Sequence, residues 1–281
     1  MRKIKFLVYF IICITHSLYA RKTIQIWDKE GRTAKERLSE LTVFLPEKPD
    51  TSGISVIICP GGSYYWLDMS NEGFSVARYL NRKGISAFVL SYRTSQHGSR
   101  HPAMIRDLQR SIQLVKENAD KYGINPEKLG VMGFSAGGHL AGTAAIYFDA
   151  NFLDTKTSTS LKPYFVAMIY PVVSMEDSIC HKKSRKNLLG KKHTAETAKM
   201  MSLEQNVRPD MPPVFLLHCT GDKTVDCRNS VAMDEALTNK GVKHRFLLLD
   251  EKKRGGHGFG IRPAGKATGW IDEFLKWIYT I

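Results

Sequence analysis

Apolar residues along this chain fall into two patterns, and their order predicts the architecture. Six short runs are apolar almost throughout: residues 54–59 (I-S-V-I-I-C), 85–90, 129–132, 165–170, 214–219 and 246–249. Runs of that length with little polar alternation mark strands buried on both faces, as in a parallel sheet. Residues 23–27 and 38–45 alternate instead, the pattern of antiparallel edge strands. Between the runs the apolar spacing turns helical. Ile105, Leu108, Ile112 and Val115 share one face of a helix expected over 102–122, which G-I-N-P at 123–126 ends. Further helices are expected over 71–82, closed by Gly84, over 140–148, over 229–239 and from 264 to the C-terminus. Strands alternating with helices predict an α/β fold with a mostly parallel central sheet covered on both faces. One interval between strands is long. Residues 174–210 are basic and partly helical in pattern, and read as a small cap-like insertion within a single domain spanning 21–281.

The N-terminus differs in kind. Arg2, Lys3 and Lys5 precede an apolar stretch at 6–14 and a small residue, Ala20, which together describe a secretory signal peptide cleaved near Ala20. The stretch is too short for the roughly 20 residues that span a bilayer, so export to the periplasm or beyond is expected, with no stable membrane insertion. Removing Arg2, Lys3 and Lys5 takes three from the formal net charge of +14, and the chain stays basic. The excess gathers at 181–192, with six Lys/Arg and no acid, and at Lys252-Lys253-Arg254. Neither run interleaves aromatics and no nucleic-acid motif accompanies them, so no nucleic-acid partner is expected. A solvated face accounts for the runs, and attraction to an acidic polysaccharide or anionic cell surface is the alternative. Cys59, Cys180, Cys219 and Cys227 show no C-x-x-C spacing and no Cys/His cluster. They are expected to be mostly free and buried, with no metal and no cofactor.

Chemistry concentrates at G-F-S-A-G, residues 133–137, where an apolar run turns sharply into an Ala-rich stretch. A serine at the apex of a strand–turn–helix exposes its Oγ, and glycines two residues to either side leave room for it. The Ala136 N–H stands at a helix N-terminus, suited to an oxyanion. In a parallel sheet, reactive residues lie beyond the carboxyl ends of strands. Asp222 follows 214–219 there, and His257 lies in G-G-H-G-F-G after 246–249. Ser135, Asp222 and His257 thus form a candidate nucleophile, acid and base. Asp226 is the rival acid, further from its strand. His139, His218, His101 and His193 are rival bases; His139 is one helical turn past Ser135 and His218 lies within a strand, positions that favour packing. P-G-G-S-Y at 60–64 can aim the Gly62 and Ser63 N–H groups at a developing alkoxide. Tyr64, Tyr65 and Trp66 follow directly, and their rings are expected to line an acyl or sugar pocket.

Several segments together resemble one family. They are C-P-G-G-S-Y (59–64), Glu72-Gly73, S-Y-R (91–93), G-F-S-A-G-G-H-L-A (133–141), S-R-K-N-L-L-G (184–190), Pro212-Pro213, G-D-K-T-V (221–225) and G-G-H-G-F-G (255–260). The chain is similar to α/β-hydrolases of the hormone-sensitive-lipase-like group, in the branch of exported carbohydrate acetyl esterases. The resemblance implies a serine esterase that removes short acyl groups, mainly acetyl, from a plant polysaccharide such as xylan or its oligomers. A prolyl-oligopeptidase-like peptidase and a non-catalytic carbohydrate-binding protein on the same fold are the alternatives. Two positions depart from the family pattern: Ser63 stands where a third glycine is usual, and Asp226 where a proline is common.

Overall fold

The computed structural model describes residues 22–27, 33–153, 155–251 and 256–281. The expected leader at 1–20 and the basic triplet at 252–254 lie outside the described residues. Among the described residues there are eight strands: β1 (Lys22–Gln25), β2 (Glu40–Phe44), β3 (Ser55–Cys59), β4 (Ser86–Ser91), β5 (Leu129–Phe134), β6 (Val166–Ile169), β7 (Val214–Cys219) and β8 (His244–Leu249). They form one sheet in the order β1-β2-β4-β3-β5-β6-β7-β8. β2 pairs antiparallel with both β1 and β4, and from β4 to β8 every neighbouring pair is parallel. Ser135 follows β5, in the middle of that parallel region.

The helices are α1 (Ser75–Arg82), α2 (Ala103–Glu117), α3 (Ala119–Tyr122), α4 (Ala136–Ile146), α5 (Lys182–Leu189), α6 (Ala195–Met200), α7 (Arg228–Asn239) and α8 (Trp270–Ile278). Side chains alternate across each strand, so the core divides by parity. Ile57, Val131 and Leu216 face α2, α4 and α7 on one side. Ile58, Met132 and Leu217 face α1 and α8 on the other. This is the two-sided burial that the uninterrupted apolar runs imply.

Boundaries differ where local chemistry intervenes. The helix expected over 71–82 is preceded by a wider π turn at Met69–Phe74, whose start is capped by Asp68 accepting the Asn71 N–H at 3.1 Å. The helix expected over 102–122 divides at Asn118, whose side-chain amide donates to the Leu114 carbonyl at 2.9 Å, ending α2 before α3 begins. The last helix begins at Trp270, because Gly269 ahead of it adopts a left-handed φ of 79° that breaks the pattern. Residues 174–210 carry α5 and α6, with α6 opened by a capping box between Thr194 and Thr197.

Just past the carboxyl end of β4, a polar cluster forms around a fully buried carboxylate. Asp107 on α2 accepts hydrogen bonds from Arg93 Nε and Nη2, the Arg93 N–H, Trp27 Nε1 and Ser39 Oγ, all between 2.8 and 3.0 Å. Arg93 also lies over the Trp27 ring. This network ties the segment after β4 to α2 and to the antiparallel edge.

Candidate active site

Ser135 sits between β5 and α4 with φ 53° and ψ −119°, a conformation strained for a side-chain-bearing residue. Two close approaches hold it there. A Cβ on Gly133 would come 1.9 Å from the Gly137 carbonyl oxygen, and one on Gly137 would come 2.1 Å from that of Cys59. The glycine spacing is thus a steric requirement of the turn.

The turn meets the two loops that carry the other candidates. His257 Nε2 lies 2.8 Å from Ser135 Oγ, and His257 Nδ1 lies 2.7 Å from Asp222 Oδ2. A carboxylate only accepts, so Nδ1 carries the proton and Nε2 is left to accept from the serine hydroxyl. Asp222 is held from four sides. Its Oδ1 accepts the Thr224 and Val225 N–H groups at 2.8 and 3.0 Å, and its Oδ2 faces His218 Nε2 at 3.2 Å as well as His257. Burial alone would raise the Asp222 carboxyl, but the hydrogen bonds from His218, His257 and Val225 outweigh it and hold the pKa far below the usual carboxylate range.

The rival residues are occupied elsewhere. Asp226 turns outward to Arg228, with Oδ2 2.6 Å from its guanidinium. His139 is enclosed: Nε2 donates to the Met201 carbonyl and Nδ1 accepts from Tyr64 Oη, both at 2.8 Å, and burial pushes its pKa down to about 4. His193 Nδ1 bonds the Gly190 carbonyl at 3.1 Å, and His101 packs edge-on against Phe152. His218 is a core histidine with a second contact of consequence. Its Nε2 donates to both the Val225 carbonyl and Asp222, while Nδ1 accepts from Ser230 Oγ at 2.7 Å.

The loop after β3 curls tightly, with the Gly62 carbonyl accepting from the N–H groups of Tyr65 and Trp66. Gly62 (φ 135°), Ser63 (φ 57°) and Tyr64 (φ 59°) are all left-handed. A Cβ on Gly62 would lie 2.0 Å from the Trp66 carbonyl oxygen. Ser63 therefore occupies a conformation that favours glycine. Among the described residues, the N–H groups of Gly62, Ser63 and Ala136 have no protein acceptor. The left-handed turn also corrects an expectation. Tyr64 does not line a pocket: it is 1% exposed, its hydroxyl bonds His139, and its ring packs on Tyr92. Tyr65 and Trp66 are 46% and 49% exposed.

Two further residues join the two sides of the site. Glu72, buried, accepts the Gly61 N–H at 2.7 Å with Oε2 and the Tyr170 hydroxyl at 2.8 Å with Oε1. Tyr170 Oη in turn accepts the Gly260 N–H at 3.0 Å, and its ring lies against His257 with centroids 4.7 Å apart. Burial raises the Glu72 carboxyl above its ordinary value despite these hydrogen bonds. The loop ahead of Ser63 and the loop carrying His257 are thereby tied to one carboxyl group. Glu72-Gly73 stood out in the sequence without a role, and Tyr170 carried no signal beyond ending an apolar run.

With this geometry in place, comparison with known proteins is informative. The BD-FAE family model matches residues 41–237, which is most of the chain and includes Ser135 and Asp222. The chain belongs to the BD-FAE family. Among solved structures, this BD-FAE protein is similar to an acetyl ester-xyloside bifunctional hydrolase from Caldicellulosiruptor lactoaceticus. The TM-score is 0.81 at 30% identity, over 92% of this chain and 96% of that one. Its sequence is 32% identical to an acetylxylan esterase of Xylanibacter ruminicola, over 85% of this chain and 46% of that protein. It is also 33% identical to endo-1,4-beta-xylanase B of Butyrivibrio fibrisolvens, over 76% of this chain and 34% of that one. The chain thus spans less than half of these two relatives. The fold is that of the α/β-hydrolases, in the carbohydrate-esterase branch that the sequence motifs resemble.

Proposed function

We propose that this BD-FAE protein is an exported serine esterase that removes acetyl groups from xylan or xylo-oligosaccharides. The observation that carries this reading is the hydrogen-bonded line Asp222–His257–Ser135 at 2.7 and 2.8 Å, in a family whose relatives carry acetylxylan esterase and xylanase names. Ser135 Oγ attacks the ester carbonyl while His257 Nε2 takes its proton. The tetrahedral alkoxide is held by the N–H groups of Gly62, Ser63 and Ala136, which have no protein acceptor to give up. His257 then protonates the leaving sugar hydroxyl, and water releases acetate by the same route in reverse. Asp222 stays ionised throughout, fixing the His257 tautomer and stabilising the imidazolium. No metal or organic cofactor enters these steps. Export rests on the basic, apolar leader at 1–20, and residues 174–210 serve as a cap beside the site. Tyr65 and Trp66, exposed beside the loop, offer ring faces to a pyranose.

The test is acetate release from acetylated xylan, run beside nitrophenyl acetate, butyrate and octanoate. Acetate is expected from xylan, with kcat/KM falling steeply as the acyl chain lengthens and Trp66→Ala weakening action on the polysaccharide. Ser135→Ala should lower kcat on the order of a million-fold while the fold persists. An octanoate rate equal to the acetate rate would move the protein towards lipase-like chemistry.

A further inference from the structure

The basic run at 181–192 is largely exposed, and part of it borders a concavity. A cavity of about 550 Å³ is lined by Arg100, Lys186, Lys191 and Lys192, and no carboxylate of the described residues lines it. Arg185, on the same helix as Lys186, instead pairs with Asp177 at 2.5 Å. Arg100 is drawn close by Gly190: a Cβ there would lie 3.4 Å from Arg100 Cδ and Nε.

The cavity is built onto the candidate active site. Tyr65, Ser95 and Asn187 also line it. Asn187 Nδ2 donates to the Ser63 carbonyl at 2.8 Å, and the Ser95 N–H donates to the Tyr64 carbonyl at 2.8 Å. Both walls are therefore bonded to the loop that carries the Gly62 and Ser63 N–H groups. The Ser95 hydroxyl oxygen, behind this wall, is buried without a hydrogen-bond partner. Four like charges around one concavity repel each other, and a neutral sugar would do nothing to offset that. An anion would.

We propose that this cavity binds a carboxylated sugar, a uronic acid branch on the polysaccharide that carries the ester. The cations hold the carboxylate, and the Tyr65 ring covers a pyranose face. The inference rests on the esterase reading and deepens it: the natural substrate is an acidic, branched polysaccharide, and the positive charge of the chain is partly a specificity device. A sulfated sugar shares the chemistry of an anion on a pyranose, so the test must separate the two.

Calorimetry on the unmodified protein with deacetylated xylo-oligosaccharides decides it without relying on turnover. The probes are an oligosaccharide with one uronic acid branch, a neutral one of equal length, and one sulfated at a single hydroxyl. The uronate-branched probe is expected to bind about tenfold tighter than the neutral one at low salt. That margin should narrow as the Debye length shortens to about 8 Å at physiological ionic strength. In the combined variant Arg100→Gln, Lys191→Gln, Lys192→Gln the two dissociation constants should converge, and the single variant Lys191→Gln should give an intermediate margin. Equal affinities in the unmodified protein, or a margin that survives loss of the three cations, would overturn the inference, and so would a preference for the sulfated probe. Nitrophenyl acetate turnover by the same preparation is read separately. Its absence would remove the esterase reading while leaving the binding difference to stand or fall by itself.

Discussion

Two buried carboxylates, Asp107 and Asp222, are each saturated with hydrogen bonds, yet they face opposite kinds of partner. Asp107 is fully enclosed and paired with Arg93, itself 6% exposed, with Trp27 and Ser39 completing the shell. Guanidinium does not give up its proton, so nothing in that cluster can change charge during a reaction. Asp222 instead holds two imidazoles. His218 is locked by Val225 and Ser230, whereas His257 has its second nitrogen on Ser135 Oγ. The difference teaches that burial and hydrogen bonding alone do not mark a functional carboxylate. What distinguishes Asp222 is a partner, His257, that can exchange a proton and whose other nitrogen faces Ser135 Oγ.

Substitutions at the two positions should therefore fail in different ways. Asp222→Asn should lower kcat about 10,000-fold by favouring the wrong His257 tautomer, as in other serine hydrolase triads. Asp226→Asn should leave the rate near its starting value, because Asp226 faces Arg228. Steady-state hydrolysis of nitrophenyl acetate by both variants checks this, and a larger loss at Asp226 would transfer the role of acid to it. Asp107→Asn should do the reverse, leaving Arg93 only its longer ion pair with Glu36 at 3.7 Å and costing about 3 kcal/mol of stability. Urea unfolding should register that cost, with kcat of the remaining folded protein close to wild type.

Glu72 lies between these cases and sharpens the contrast. It is a buried carboxyl outside the Asp222–His257–Ser135 line, but it fixes Gly61 beside the turn that carries the Gly62 and Ser63 N–H groups and, through Tyr170, Gly260 in the His257 loop. Glu72→Gln can satisfy only one of those contacts well. Losing a hydrogen bond to a charged group costs about 1.5–3 kcal/mol, so kcat should fall roughly ten- to hundred-fold with KM changed less. A pure stability loss with kcat intact would make Glu72 structural only.

The smallest effect concerns acid stability. The Asp222 pKa is depressed in the folded chain, so its ionised form contributes stability above the unfolded carboxylate value of about 3.9. That contribution is lost as pH falls through the lower folded value. Denaturant titrations across the acid range should show a shallower dependence on pH in Asp222→Asn than in wild type. Parallel profiles would mean that the carboxylate is not held as described.

The sequence revealed what local sterics and strand order dictate. G-F-S-A-G requires its glycines because two carbonyl groups lie where side chains would be; one, that of Gly137, is within the motif, and the other, that of Cys59, comes from β3. Asp222 and His257 were legible from their places just past apolar runs, and the parallel sheet from runs that do not alternate. Other features depend on geometry that no short window carries. Tyr64 was misplaced because a left-handed φ of 59° turns its ring inward, whereas its neighbours stay exposed. Glu72 and Tyr170 meet across 98 residues of sequence, and His218 reads as an ordinary strand residue until β7 is seen to deliver it beneath Asp222. The cavity at Arg100 and 186–192 likewise appears only when distant segments close on the loop after β3.

The central claim is that Ser135 is a nucleophile made reactive by the Asp222–His257 pair and not by the enclosed network at Asp107. Stoichiometric labelling with a fluorophosphonate, located by mass spectrometry of the peptide bearing Ser135, tests it most directly. One label per chain at Ser135 is expected, forming at the wild-type rate in Asp107→Asn and orders of magnitude more slowly in Asp222→Asn. Labelling at another residue, or equal rates in the two variants, would contradict the account.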